Sequence, residues 1–296
     1  MLPLREFLDE RSPAGGRAKA LLFLTHPGPS LLVTATTVGV ARFAAATTPP
    51  AAILLRVGGS MLATQLAIGA ANDWADVDRD RVAKPHKPLV RGVVTRFEAG
   101  MVASGGALTA LVLAAGLSSP APAAMVLGLG SGLGYDLGLK RNAASVLPWW
   151  GGLMAVPLVA CAAVGRPVAH LRRLPLLAGL LAAGLHCANA LPDLADDART
   201  GVASLPVHLG PRAATAVALL APVTAAMVAC TDPGTAAARR WLRRSAAAVV
   251  TADVAAGLAL LSGPGRRSMP FRLLTPAAAG LGVAWLAGVA REAPTA

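Results

Sequence analysis

The chain has 296 residues, 55% of them hydrophobic and only 14% charged, where an ordinary soluble domain carries about 25% charge; its mean hydropathy is +0.58. This balance excludes a soluble globular protein and implies a membrane protein rich in Ala, Gly and Pro, whose small side chains let helices pack closely in lipid. A net charge of +12 does not point to nucleic acid, because the basic residues fall in short clusters between apolar runs rather than along one polar face.

Residues 1–25 contain Glu6, Asp9 and Glu10 and no apolar core, so they read as a cytosolic lead-in and not as a secretory signal peptide. A single membrane domain is expected over 26–296. Segments long enough to span lie near Leu31–Ala46, Pro50–Ala71, Phe97–Leu117, Pro120–Leu139, Ala144–Val164, Leu174–Leu194, Ala213–Cys230, Ser245–Leu261 and Leu273–Val289. The expectation is an all-α bundle of about nine transmembrane helices around a lipid-accessible cavity. Arg42 interrupts the first segment, and Arg56 in the second should snorkel or find a buried acid. Cys161, Cys187 and Cys230 sit in apolar stretches without metal-like spacing and read as buried small hydrophobes.

With the amino terminus inside, the cytoplasmic loops carry Arg17, Lys19, then Arg79 to Arg96, Lys140, Arg141, Arg199, Arg212, Arg266, Arg267 and Arg272. That bias follows the positive-inside rule, although the opposite side keeps Arg166, Arg172, Arg173 and the cluster Arg239, Arg240, Arg243 and Arg244.

The second segment runs out into Asn72-Asp73-Trp74-Ala75-Asp76-Val77-Asp78-Arg79-Asp80. Helical residues four apart share a face, so Asn72, Asp76 and Asp80 form one column of oxygen ligands with Asp73 beside it. Such a column repels itself unless a hard cation relieves it, and Mg2+ typically takes one or two carboxylates, waters and a substrate phosphate oxygen. The same N-x3-D-x3-D spacing recurs at Asn189, Asp193 and Asp197, where the sixth segment ends. Because the second and sixth segments run parallel, the two columns should open on one membrane face and converge. Pro192 disfavours α geometry at Leu191, so a kink is expected there.

Lys84, Lys87 and Arg91 follow the first patch and Arg199 the second, placed to hold outer phosphate oxygens or to set topology. Between the patches, Tyr135 and Lys140 bring a hydroxyl and an ammonium to the same face, where they would stabilise charge building on a diphosphate leaving group. Asp78 and Asp136 read as supporting or solvated acids. His186, three residues before Asn189, reads as an interior histidine with the option of touching a second substrate. Trp149 and Trp150 read as an interfacial belt in preference to a cavity wall.

These ordered motifs resemble the UbiA superfamily of intramembrane prenyltransferases. Asn72, Asp73, Asp76 and Asp80 match its N-D-x-x-D-x-x-x-D without a gap. Lys87-Pro88-Leu89-Val90-Arg91-Gly92 resembles its R-P-L-x-x-G, with lysine in place of arginine. Tyr135 and Lys140 look like its tyrosine–lysine element, and Asp193 to Pro206 like its second D-x-x-x-D with a trailing G-x-x-S/T-L-P. The resemblance implies Mg2+-dependent transfer of a prenyl group from its diphosphate to an aromatic or other small lipophilic acceptor, in a plasma membrane of bacterial type with the site toward the cytoplasm.

By matched position, Asn72, Asp76, Asp193 and Asp197 would bind metal, with Asp73 and Asp80 ligating or orienting; the repeated spacing adds Asn189 to the metal set. Lys84, Lys87, Arg91, Tyr135 and Lys140 would hold diphosphate by the same matching, joined by Arg199 after the second patch, and Asp76, Asp80, Tyr135 and Lys140 would serve the chemistry. A terpene cyclase of the same fold is the alternative, disfavoured by the 4% aromatic content because cyclases often line their cavities with aromatic faces. An ion-coupled transporter is the second alternative; it would place its acids at mid-membrane on broken helices, whereas these sit at helix ends.

Overall fold

A computed structural model describes residues 13–168, 171–232 and 235–292. It is helical throughout, with no strand among the described residues: α1 (Pro13–Leu24), α2 (Pro27–Ala44), α3 (Ala51–Ala83), α4 (Arg96–Ala115), α5 (Ala121–Leu137), α6 (Val146–Ala163), α7 (Leu174–Ala190), α8 (Leu194–Arg199), α9 (Leu205–Ala229), α10 (Ala236–Leu261) and α11 (Met269–Glu292). Helices α2 to α7 and α9 to α11 each pack on the next in chain order, and α11 closes the ring on α2.

Each expected span coincides with one of these ring helices. Six helices are long and apolar enough to cross a membrane, α7 is a shorter apolar helix, and α2 and α5 fall outside those two groups. The packing depends on small residues, and much of the buried core is alanine. A Cβ on Gly106 of α4 would stand 3.0 Å from the Ala63 carbonyl of α3, and one on Gly69 would stand 2.9 Å from the Thr25 backbone. These two approaches seat α4 and the α1–α2 junction directly on α3.

Helix α3 has 33 residues and is therefore about 50 Å long, well beyond a hydrocarbon core of about 30 Å. Its apolar length is used up near Ala71, so Asn72–Asp80 continues the same rod past the lipid. Residues 13–24 of the expected lead-in form α1, whose Ala20 and Leu24 share a buried cluster with Ala70, Val77, Leu89, Val94 and Ala99. Glu6, Asp9 and Glu10 lie outside the described residues.

Local details depart from the expected layout. Pro192 does more than kink its helix: α7 stops at Ala190 and a turn over 191–193 precedes the short α8. Trp149 turns inward, edge-on to Tyr135 and Phe271, and does not join a belt. Helix α9 is also divided, by Gly210 at φ 74° before Pro211, a backbone region open to glycine at little cost. Among the described residues Arg56 finds no acid; it is exposed and directs Nη1 to the Leu113 carbonyl at 3.5 Å, in the last turn of α4.

Candidate active site

The acidic end of α3 is buried rather than solvated: Asp73, Asp76 and Asp80 are 3%, 4% and 1% exposed. It does not act as one column. At 3.6 residues per turn, Asp80 projects only about 20° from Asp73, whereas Asn72 and Asp76 lie about 40° apart further round. The structure divides them accordingly between two ammonium groups. Lys87 Nζ donates to Asp73 Oδ1 at 2.7 Å and to Asp80 Oδ2 at 2.6 Å. Lys140 Nζ donates to Asp76 Oδ2 at 2.8 Å and Asn72 Oδ1 at 3.1 Å, and lies 3.7 Å from Asp136 Oδ1.

Lys87 is delivered by a chain of turns. The Arg91 amide donates to the Lys87 carbonyl and the Val93 amide to the Pro88 carbonyl, with Gly92 at φ 72°. Leu89 and Val94 pin this loop into the α1–α3–α4 core, and a Thr95–Glu98 capping box then starts α4. Burial disfavours the Lys87 ammonium, but its hydrogen bonds to Asp73 and Asp80 outweigh that and hold its pKa above the usual lysine value. Lys140 comes from a 3-10 turn after α5. That turn is tied down where the Arg141 carbonyl accepts from the Ala203 amide and Ser145 Oγ accepts from the Leu205 amide.

The second patch converges on the first, through cations. Arg79 places Nη2 3.4 Å from Asp76 Oδ2 and Nη1 3.6 Å from Asp197 Oδ1, and Lys84 Nζ stands 3.8 Å from Asp193 Oδ2. Burial pushes the Asp197 carboxyl above the usual range, against the pull of Arg79. Because the chain breaks at Pro192, Asn189 is left exposed on α7, and among the described residues it makes no side-chain hydrogen bond. Arg199 pairs with Asp196 at the surface, Arg91 is exposed, and Asp78 is held at the rim by Arg81 and Arg96.

Two residues outside the expected set enter the site. Arg79, which the sequence presents only as part of a basic loop, bridges both acidic patches. His26, in the left-handed turn between α1 and α2, brings Nε2 to 3.3 Å from Asp73 Oδ1. Nothing local to residue 26 signals this, since its partner lies 47 residues away. Beside the acids, Tyr135 packs edge-on to Trp149 and to His186, and Trp149 stacks on His186. His186 Nε2 is 2.8 Å from Ser145 Oγ.

The donor set fits a divalent cation that the substrate helps to hold. Among the described residues, no three acids, histidines or cysteines gather as a ready metal cage. Six carboxylates, of Asp73, Asp76, Asp80, Asp136, Asp193 and Asp197, face four permanent cations, Arg79, Lys84, Lys87 and Lys140, with the His26 imidazole beside Asp73. The cluster is therefore short of positive charge. Asp76 Oδ1 and Asp136 Oδ2 are buried without a hydrogen-bond partner, and buried carboxylate oxygens normally have one. Unpaired oxygens in a cation-poor cluster suit Mg2+, which keeps few protein ligands and completes its shell with water and phosphate.

The sequence and the fold both resemble those of known proteins. Residues 31–263 match the UbiA prenyltransferase family. The bacteriochlorophyll synthase 33 kDa chain of Rhodobacter capsulatus is 29% identical over 179 residues, 54% of this chain and 57% of that protein, so the chain spans little more than half the length of this relative. Among solved structures, digeranylgeranylglyceryl phosphate synthase superposes with a TM-score of 0.69 at 18% identity, covering 93% of this chain and 99% of the other. A UbiA homologue from Archaeoglobus fulgidus bound to GPP and Mg2+ superposes with a TM-score of 0.67 at 17% identity, covering 89% and 99%. With its membrane-spanning helices and its paired acidic motifs, the chain belongs to the UbiA prenyltransferase family.

Proposed function

We propose that this protein transfers a prenyl group from an isoprenoid diphosphate to an aromatic or other small lipophilic acceptor, with Mg2+. The observation that carries the reading is the convergence of the α3 and α7–α8 acids on shared cations, with Asp76 Oδ1 left unpaired between them. Asn72, Asp73, Asp76 and Asp80 on one side, and Asp193 and Asp197 on the other, would hold the metal. When bound, Mg2+ would neutralise diphosphate oxygens and make the diphosphate a better leaving group.

The chain's own cations do the rest. Lys84, Lys87, Arg79 and Lys140 already lie within 4 Å of the acids and would turn to the phosphate oxygens as metal takes over the carboxylates, a charge-assisted contact for each. Tyr135 and Lys140 would stabilise the negative charge that grows on the diphosphate as the allylic carbon–oxygen bond breaks. Arg91 and Arg199 lie at the rim and would draw the diphosphate in. The prenyl chain would extend from this end of α3 into the apolar bundle. The Archaeoglobus homologue, solved with GPP and Mg2+, supports this assignment of substrate and ion. Loop charges support an orientation with the site on the cytoplasmic side.

Acceptor-free cyclisation keeps one observation in its favour: a chain with few aromatics gathers Tyr135, His186 and Phe271 around Trp149, and aromatic faces stabilise carbocations. One experiment separates the readings. Purified protein is incubated with radiolabelled geranyl, farnesyl and geranylgeranyl diphosphates and Mg2+, with and without phenolic and quinol acceptors. Transfer predicts labelled adducts only with acceptor, whereas cyclisation predicts hydrocarbon products without one. Turnover that survives EDTA or Asp76→Ala contradicts both.

A further inference from the structure

The membrane face opposite the acids carries a second concentration of charge that prenyl transfer does not use. Helix α9 leaves the site at Leu205 and reaches the other side at Ala229, and α10 returns from there. The first turns of α10 hold Arg239, Arg240, Arg243 and Arg244, all exposed. Among the described residues none of the four has an ion-pair partner. Asp232 lines a small pocket with Arg239, but it is held by Arg173 at 2.9 Å and by the Trp285 indole. No acid occupies the first turn of α10, so the four guanidinium groups add to the positive end of the helix dipole.

What lies below them on the same helix defines the partner. At 3.6 residues per turn, the arginines fall on one side of α10, away from the buried Leu242 and Val249. Val250, Val254 and Leu258 continue that side down the helix and are 44%, 57% and 61% exposed. From Arg244 to Leu261 the helix rises about 26 Å, close to a hydrocarbon thickness of about 30 Å, which sets the arginines at the headgroup level. Trp241 flanks them and packs edge-on to Phe43 of α2, centroids 5.4 Å apart, as an interfacial aromatic anchor does.

We propose that this face of α10 binds an anionic phospholipid of the leaflet opposite the acidic site. Arg240 and Arg244, one turn apart, hold the phosphate; Arg239 and Arg243 supply the excess charge that prefers an anionic headgroup over a zwitterionic one. An acyl chain lies along Val250, Val254 and Leu258. Guanidinium forks suit phosphate oxygens, and free phosphate lacks the apolar part this face also offers.

The test is phosphatidylglycerol retention by the purified full-length protein, read by native mass spectrometry in detergent, with phosphatidylcholine and inorganic phosphate as the other probes. Phosphatidylglycerol should be retained in preference to both. Arg240→Gln/Arg244→Gln should weaken it about 30-fold, since each basic residue near an anionic surface contributes roughly a factor of five. Arg240→Lys/Arg244→Lys should retain most binding, and Arg266→Gln/Arg267→Gln on the other face should match wild type. Equal retention of both lipids, displacement by inorganic phosphate, or wild-type retention in the Gln pair overturns the proposal. Prenyl transfer is not the readout, so either conclusion can fail without the other.

Discussion

The two acidic stretches share a spacing and differ in everything their backbones do with it. Asn72–Asp80 rides an unbroken helix, and its Asp73, Asp76 and Asp80 are buried and matched to fixed ammonium groups. Asn189–Asp197 straddles a helix end at Pro192, so Asp193 is exposed and Asp197 half-buried, each reached only by a long ion pair. The difference teaches that one half of the clamp is built with the fold, while the other is light enough to be set by what binds. Breaking a buried acid–lysine pair is costly because it strands the remaining charge away from water, whereas an exposed pair at 3.8 Å contributes little.

Removing charge from the built half should therefore cost most. Asp76→Ala is expected to abolish prenyl diphosphate turnover, and it strips Lys140 of its closest acid. Losing one partner of a buried pair costs about 3 to 5 kcal/mol, so its unfolding midpoint in denaturant should fall as well. Lys87→Ala strands Asp73 and Asp80 together and should destabilise by a similar amount, measured the same way, with diphosphate binding weakened.

Asp193→Asn sits on the other side of the comparison. Its stability should stay within about 0.5 kcal/mol of wild type, as for exposed positions generally, while Mg2+-dependent turnover drops at least about tenfold through loss of a charged oxygen ligand. An unfolding midpoint that moves as far as that of Asp76→Ala would erase the distinction between the halves. Arg79→Ala isolates their connection: substrate-free stability should change modestly, because its ion pairs are 3.4 and 3.6 Å long and partly exposed, and diphosphate affinity should fall. Asn189→Ala, at an exposed position without a side-chain hydrogen bond among the described residues, is expected to leave both stability and turnover close to wild type in the same assays.

The same contrast decides what could be read in advance. On α3, spacing alone placed the acids at a helix end, because helical periodicity is local and nothing interrupts it. The partition of that column between Lys87 and Lys140 depends on two loops returning from different parts of the chain, so spacing predicted a single column where the fold makes two. Pro192 was visible as a disturbance, but whether it bends or ends a helix is decided by the turn and by α8 beyond it. His26 and Arg79 had no motif to announce them; their roles exist only after α1 packs on α3 and α8 folds back. Trp149 faces inward because Tyr135, His186 and Phe271 surround it, which a tryptophan at the start of an apolar segment does not reveal.

The central claim is that the two acidic stretches act on one diphosphate. A double-mutant cycle on Mg2+-dependent binding of geranylgeranyl diphosphate tests it directly, using Asp76→Asn, Asp197→Asn and the pair. Groups sharing one ligand and its metals should be coupled by at least about 1 kcal/mol, whereas independent sites add to within roughly 0.5 kcal/mol. Coupling of that size is the predicted result; additive losses would mean that the two stretches bind separately and that the clamp does not exist.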